Sequence, residues 1–145
     1  MVCGFIGGGI IDDREYGYLL DKTIEIAERL VTEEDATMFL IGTRGRFSRL
    51  AVTAASAMLH RHPGTNYYKV LPFWSDYFSN RAHTYTPEEV LNARPYEGLA
   101  ASYRWIADNS DIIIYCPGRG WDGTVAYARL AAEQGKPVIN LGSIN

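Results

Sequence analysis

Nine residues constrain the fold of this chain more than any others: Cys116-Pro-Gly-Arg-Gly-Trp-Asp-Gly-Thr124. An apolar, β-branched run, Asp111-Ile-Ile-Ile-Tyr115, precedes them, and an alanine-rich stretch of helical character, Val125 to Glu133, follows. Gly135-Lys-Pro137 then stops the helix, and Val138-Ile-Asn-Leu141 reads as a further strand. The order strand, glycine-rich loop, helix, strand is a βαβ unit, which requires parallel strands joined by a crossover helix. It also aims backbone N–H groups out of the helix N-terminus, where anions such as phosphate bind.

The same alternation runs through the rest of the chain. Val2 to Ile6 reads as a first strand and Gly7-Gly8-Gly9 as its loop. Residues 15–31 place Leu19, Thr23, Ala27 and Leu30 at helical spacing. Thr37 to Ile41 is a second strand, followed by the loop Gly42-Thr43-Arg44-Gly45-Arg46-Phe47. Ser48 fits the N-cap of a helix whose one face carries Ala51, Ala54, Ala55, Met58 and Leu59. Tyr67 to Leu71 is a third strand, and an irregular stretch with Phe73, Trp74, Tyr77, Phe78 and Tyr85 comes after it. Thr86-Pro-Glu-Glu89 has the form of a capping box and predicts a short helix to Asn92, with another from Tyr96 to Asn109.

A length of 145 residues suffices for one α/β domain and not for two. The expected fold class is therefore α/β: a single Rossmann-like three-layer domain over residues 1–145, with a roughly five-stranded parallel sheet between helices. Ligands in such sheets sit beyond the carboxyl ends of the strands, where the strand order reverses. All three glycine-rich loops fall at that edge.

Composition closes off several function classes. With 47% hydrophobic and 21% charged residues the chain is an ordinary folded one. A net charge of −3 supplies no general attraction to nucleic acid or anionic membrane. No apolar run approaches the roughly 20 residues of a membrane helix. The chain opens directly into a strand-like segment without a basic leader, which predicts a cytoplasmic protein. Cys3 and Cys116 fall at opposite ends of their strands, so both are expected to be buried thiols rather than a disulfide. His60 and His62 suit a helix C-terminus, His83 stands alone, and no metal-ligand spacing or nucleophile elbow is present, so no metal or cofactor is expected.

Each loop has a functional and a plain reading. Gly118-Arg-Gly-Trp-Asp-Gly123 fits G-x-G-x-x-G, yet it follows the fourth strand, and Asn140 stands where an acid would hold a dinucleotide ribose. An anion held by Pro117, Gly118, Arg119, Gly120, Gly123 and Thr124 is favoured over a bare turn. Arg44 and Arg46 either add bidentate donors or simply face water. The aromatic residues of 73–85 either stack on a base or fill a core or interface, whereas Trp121, inside a glycine-rich turn, suits stacking. Asp12, Asp13 and Glu15 either grip a sugar or charge a helix start, and Asp122 is the best-placed acid if there is catalysis.

Taken in order, Cys3-Gly-Phe-Ile-Gly7, Gly42-Thr-Arg-Gly-Arg-Phe47, Val70-Leu-Pro-Phe73, Ile106-Ala-Asp-Asn-Ser-Asp111, Gly120-Trp-Asp-Gly-Thr124 and Gly135-Lys-Pro-Val-Ile-Asn140 resemble the SLOG superfamily of Rossmann-like domains, in particular its YpsA-like branch. The resemblance covers nearly the whole length. It implies a nucleotide or nucleotide-derived ligand over the carboxyl edge of the sheet, and a homo-oligomer. Relatives include LOG-type phosphoribohydrolases and the single-stranded-DNA binder DprA. Where the branch carries Gly-His-Arg this chain has Gly7-Gly8-Gly9, and at the catalytic glutamate of the LOG motif it has Tyr127. The expectation is thus a ligand-binding or sensing domain for a phosphorylated nucleotide, held by Gly7 to Gly9, Gly42 to Phe47 and Pro117 to Thr124, with Trp121 or Phe47 as a stacking face. Cleavage of a nucleoside N-glycosidic bond is the alternative. Binding of single-stranded nucleic acid is disfavoured by the acidic balance.

Overall fold

The computed structural model describes residues 1–120 and 122–143. Six strands form one sheet: β1 (Val2–Ile6), β2 (Met38–Ile41), β3 (Asn66–Val70), β4 (Thr84–Tyr85), β5 (Ile112–Tyr115) and β6 (Val138–Asn140). Their order is β4-β3-β2-β1-β5-β6, and every pairing is parallel. Helices α1 (Asp13–Glu34), α2 (Arg46–Arg61), α3 (Glu88–Leu91), α4 (Gly98–Asn109) and α5 (Val125–Glu133) supply the crossovers. The chain winds outward from β1 to β4, returns, and winds the other way through β5 and β6. The reversal therefore lies between the carboxyl ends of β1 and β5, where Ile6 stands beside Tyr115.

Alternation along the strands builds two cores. Cys3 and Phe5 of β1 join Phe39, Ile41, Leu50, Ala51 and Met58 beneath α1 and α2. Ile6 faces the other way and joins Leu40, Val70, Tyr103, Ile106 and Ile113 beneath α4 and α5. Burial on both faces explains the near-continuous apolar reading of Ile112–Tyr115, every residue of which is buried.

The five expected strands and their parallel order are all present, and β4 adds a sixth. β4 is two residues at the sheet edge, joined through the Lys69 N–H to the His83 carbonyl (2.8 Å) and the Leu71 N–H to the Tyr85 carbonyl (2.8 Å). Two residues are too short to carry a periodicity. Two capping expectations are corrected. Ser48 lies inside α2, whose N-cap is Gly45, because Phe47 packs into the core and draws the helix start back by a turn. Thr86 does not close a capping box: Pro87 is the N-cap of α3, and the Thr86 hydroxyl instead donates to the Phe73 carbonyl at 3.3 Å. Phe73, Trp74, Tyr77, Phe78 and Tyr85 do not fill this chain's core; all five are exposed. Cys3 and Cys116 are both buried and free. No helix among the described residues is long and apolar enough to cross a membrane.

Candidate functional site

The three glycine-rich loops converge at the strand-order reversal. Gly9 passes so close to Pro117 that a Cβ there would lie 2.1 Å from the Pro117 carbonyl oxygen, so only glycine fits. The next residue forms a two-way bridge: the Ile10 N–H donates to the Arg119 carbonyl (2.9 Å), and the Arg119 N–H donates back to the Ile10 carbonyl (2.7 Å). On the other side Gly45, at φ 75, brings the loop after β2 against the Gly8 backbone. Gly7 lies between the Cys116 carbonyl and the Phe47 ring. The Gly42 N–H donates to the Phe5 carbonyl at 3.2 Å, beside the Tyr103 ring.

A carboxylate of the chain itself occupies the centre of this convergence. Asp122 Oδ1 accepts from the Thr124 N–H (2.8 Å) and the Thr124 hydroxyl (2.7 Å). Asp122 Oδ2 accepts from the Gly8 N–H (3.2 Å) and the Tyr115 hydroxyl (3.3 Å). A carboxylate offers about four lone-pair positions, and here each has a donor. The side chain is 9% exposed. Asp122 thus does at the start of α5 what a bound anion would do, and it ties the first loop to the last.

Charge is distributed unevenly around the rim. Arg119 is paired with Asp12 (3.0 Å) and Glu15 (2.9 Å). Arg46 is paired with Asp13 (2.7 Å), donates to the Ile11 carbonyl (3.0 Å), and lies over the Tyr16 ring. Asp12, Asp13 and Glu15 therefore serve both the start of α1 and these arginines. α2, like the other four helices, has no side-chain cap, and its first turn carries no acidic residue, so its leading N–H groups lack a side-chain acceptor among the described residues. The Arg44 N–H donates to the Tyr103 hydroxyl (2.9 Å), while the Arg44 guanidinium has no ion-pair or hydrogen-bond partner among the described residues. Thr43, Gly45, Ser48, Arg49, Val52 and Lys69 line an open depression of about 290 Å³ beside this turn.

Two phenols and a thiol at the rim are held neutral. Burial, with the Asp122 charge next, pushes the Tyr115 phenol up to about 12. Burial likewise raises Tyr103 to about 12, opposed by the Arg44 N–H that donates to it. Cys116, at the end of β5, is pushed up to about 11 by burial, opposed by the Gly118 backbone N–H. At neutral pH it is a thiol and not a nucleophilic thiolate.

The structure thus gathers Gly7, Gly8, Gly9, Gly42, Thr43, Arg44, Gly45, Pro117, Gly118 and Thr124 at one edge. Gly120 and Gly123 lie on the same closing loop, and Arg119 on it is exposed but paired. Phe47 is turned inward, 2% exposed, with its ring against Phe5. Trp121, expected as a stacking face, lies outside the described residues. Sequence reasoning missed Arg49 and Lys69, which belong to different elements and come together only through the β2–β3 pairing. It also missed Tyr103, whose hydroxyl reaches the Arg44 backbone from α4. No protein-family model matches the chain, and no curated protein is significantly similar to it.

Proposed function

We propose that this protein binds a nucleotide or nucleotide-derived phosphorylated ligand over the carboxyl edge of its sheet and acts as a binding or sensing domain rather than a catalyst. The observation that carries this reading is the start of α2, without a side-chain cap, beside Arg44, whose guanidinium has no partner among the described residues. A helix start without a side-chain cap and a guanidinium without a partner among the described residues together favour a phosphate there. Gly7 to Gly9 and Gly42 to Phe47 form the floor of the site, and Pro117 to Gly120 with Gly123 and Thr124 its far wall. The α5 end takes no phosphate in this reading, because Asp122 already fills it. The same saturation weighs against cleavage of an N-glycosidic bond, since the best-placed acid has no free lone pair to turn on a sugar.

The ordered motifs resembling the SLOG superfamily support a domain of that kind, of its YpsA-like branch. The exposed Phe73, Trp74, Tyr77, Phe78 and Tyr85 support a homo-oligomer built through that stretch. Two buried free thiols suit a reducing, cytoplasmic setting.

Calorimetric titration with nucleoside monophosphates tests the reading. Saturable binding is expected, with no free base released on prolonged incubation. Arg44→Ala should weaken it about tenfold, the effect of one lost charge-assisted contact. Absence of saturable binding, or binding indifferent to Arg44→Ala, would overturn it.

A further inference from the structure

Most of the exposed aromatic side chains among the described residues gather around the edge strand β4. Phe73, Trp74, Tyr77, Phe78 and Tyr85 are each 43% to 62% exposed. The segment before β4 is tied to both ends of that strand. The Thr84 hydroxyl donates to the Arg81 carbonyl (2.7 Å), and the Thr86 hydroxyl to the Phe73 carbonyl (3.3 Å). On the sheet face beside α4, Val2, Met38, Leu40 and Tyr68 line an open depression of about 430 Å³. Trp105 of α4 and Tyr85 of β4 complete it, their rings 5.1 Å apart. No charged side chain among the described residues lines it. Tyr85 thus belongs to both the aromatic patch and the depression. With about 150–250 Å² on each aromatic side chain, the five half-open rings offer roughly 500 Å². The half-buried Val2, Met38, Tyr68 and Trp105 raise this toward the roughly 800 Å² that each partner gives to a standard interface.

The charges around this patch select a second copy of the chain as its occupant. Every ion pair among the described residues joins side chains within residues 12–62 or ties Arg119 to them. Between residues 73 and 109 neither the arginines nor the acids are in an ion pair, although both signs are present. Arg81 lies over the Tyr77 ring, and Arg104, Glu89 and Glu97 line the groove on the other side of Trp105. A two-fold contact sets a surface against its own image, so unpaired charges of both signs on one patch meet opposite charges across the axis. A partner of one sign would leave half of them unmatched. We infer that the protein is a two-fold dimer in which Trp74 of each copy seats in the depression between Tyr68, Tyr85 and Trp105 of the other. Trp74 is the largest of the exposed aromatic side chains. The dimer rests on the proposed reading that the aromatic stretch builds a homo-oligomer, and the depression is the surface that receives it.

Sedimentation equilibrium of the purified chain tests the arrangement. The native protein should be a dimer at micromolar concentration, as an interface of standard size allows. Trp74→Ala removes the inserted ring, and Tyr85→Glu places a charge in the depression. Each should weaken association at least about tenfold, the effect of losing a central aromatic anchor. Met38→Glu blocks the same depression from β2 and should do likewise, whereas Tyr85→Phe should leave association within about twofold. Mixed in equal amounts, Trp74→Ala and Tyr85→Glu should associate more tightly than either alone. In the mixed dimer the remaining Trp74 still meets the remaining open depression. Thermal melts confirm that each variant is folded. A native dimer indifferent to Trp74→Ala, or a mixture that associates no better than its components, overturns the Trp74 insertion and leaves a homo-oligomer standing. A closed trimer or larger ring overturns the two-fold. A native chain that stays monomeric to near-millimolar concentration overturns the reading on which the dimer rests.

Discussion

Asp122 joins parts of the chain that are 114 residues apart, through its bond to the Gly8 N–H. Replacing it by asparagine keeps the shape but turns an NH₂ toward a backbone N–H, that of Gly8 or that of Thr124, which can only donate. Asp122→Asn should therefore cost about 1–3 kcal/mol, the usual penalty for a buried donor left without an acceptor, and the urea midpoint would show it. An unchanged midpoint would mean that these bonds do not hold the loops together. Sequence reading placed Asp122 beside the anion loop but gave it the role of an acid, because nothing local to residues 115–124 reveals a partner at Gly8. The thiols were easier to read, since each stands in an apolar strand run. Burial raises Cys3 and Cys116 alike. Neither should react with Ellman's reagent in native buffer over minutes, and both should react after unfolding. Rapid native labelling of Cys116 would contradict its burial.

Among the elements, α2 separates what was legible from what was not. Its buried face, Ala51, Ala54, Ala55 and Met58, was visible as a helical period. Its start was not, because Gly45 has no side chain with which to announce a cap and Ser48 offers a false one. The two positions can be told apart by stability. Ser48→Ala should change it by less than about 0.5 kcal/mol, as at an ordinary surface site, where a true N-cap would lose about 1 kcal/mol. Phe47→Ala should cost about 3–5 kcal/mol, because it empties a fully packed position against Phe5. The short strand β4 marks the opposite limit. It exists because β3 offers an unpaired edge, so its position is set by tertiary structure and not by Thr84 and Tyr85 themselves.

For the molecule as a whole, the parallel sheet and the gathering of three loops at one edge followed from element order alone, because crossover handedness leaves few alternatives. The charge pattern did not follow. Whether Arg119 or Arg44 is free depends on Asp12 and Glu15 reaching across from α1. Global stability should also carry the mark of the buried acids. Unfolded, the cysteines would lose protons from about 9 and the tyrosines from about 10. Folded, Cys116 holds its proton up to about 11, and Tyr103 and Tyr115 theirs up to about 12. In that window the native state binds more protons than the unfolded state, so stability falls as pH rises. The urea midpoint should be lower at about pH 10.5 than at about pH 8, and a flat profile would contradict the burial of these groups.

The central position of β1 has a consequence for synthesis on the ribosome. β1 is made first, and its partner β5 is made only at Ile112–Tyr115, near the other end of the chain. Until then one edge of β1 has no neighbour, and a nascent chain that pauses in α4 presents Cys3 to Ile6 as an open template for misassembly. The ligand edge is incomplete in that intermediate, because the loop of residues 117–124 has not yet been translated. The pocket should therefore be acquired only after β5 has docked beside β1 and the loop that follows it has been made.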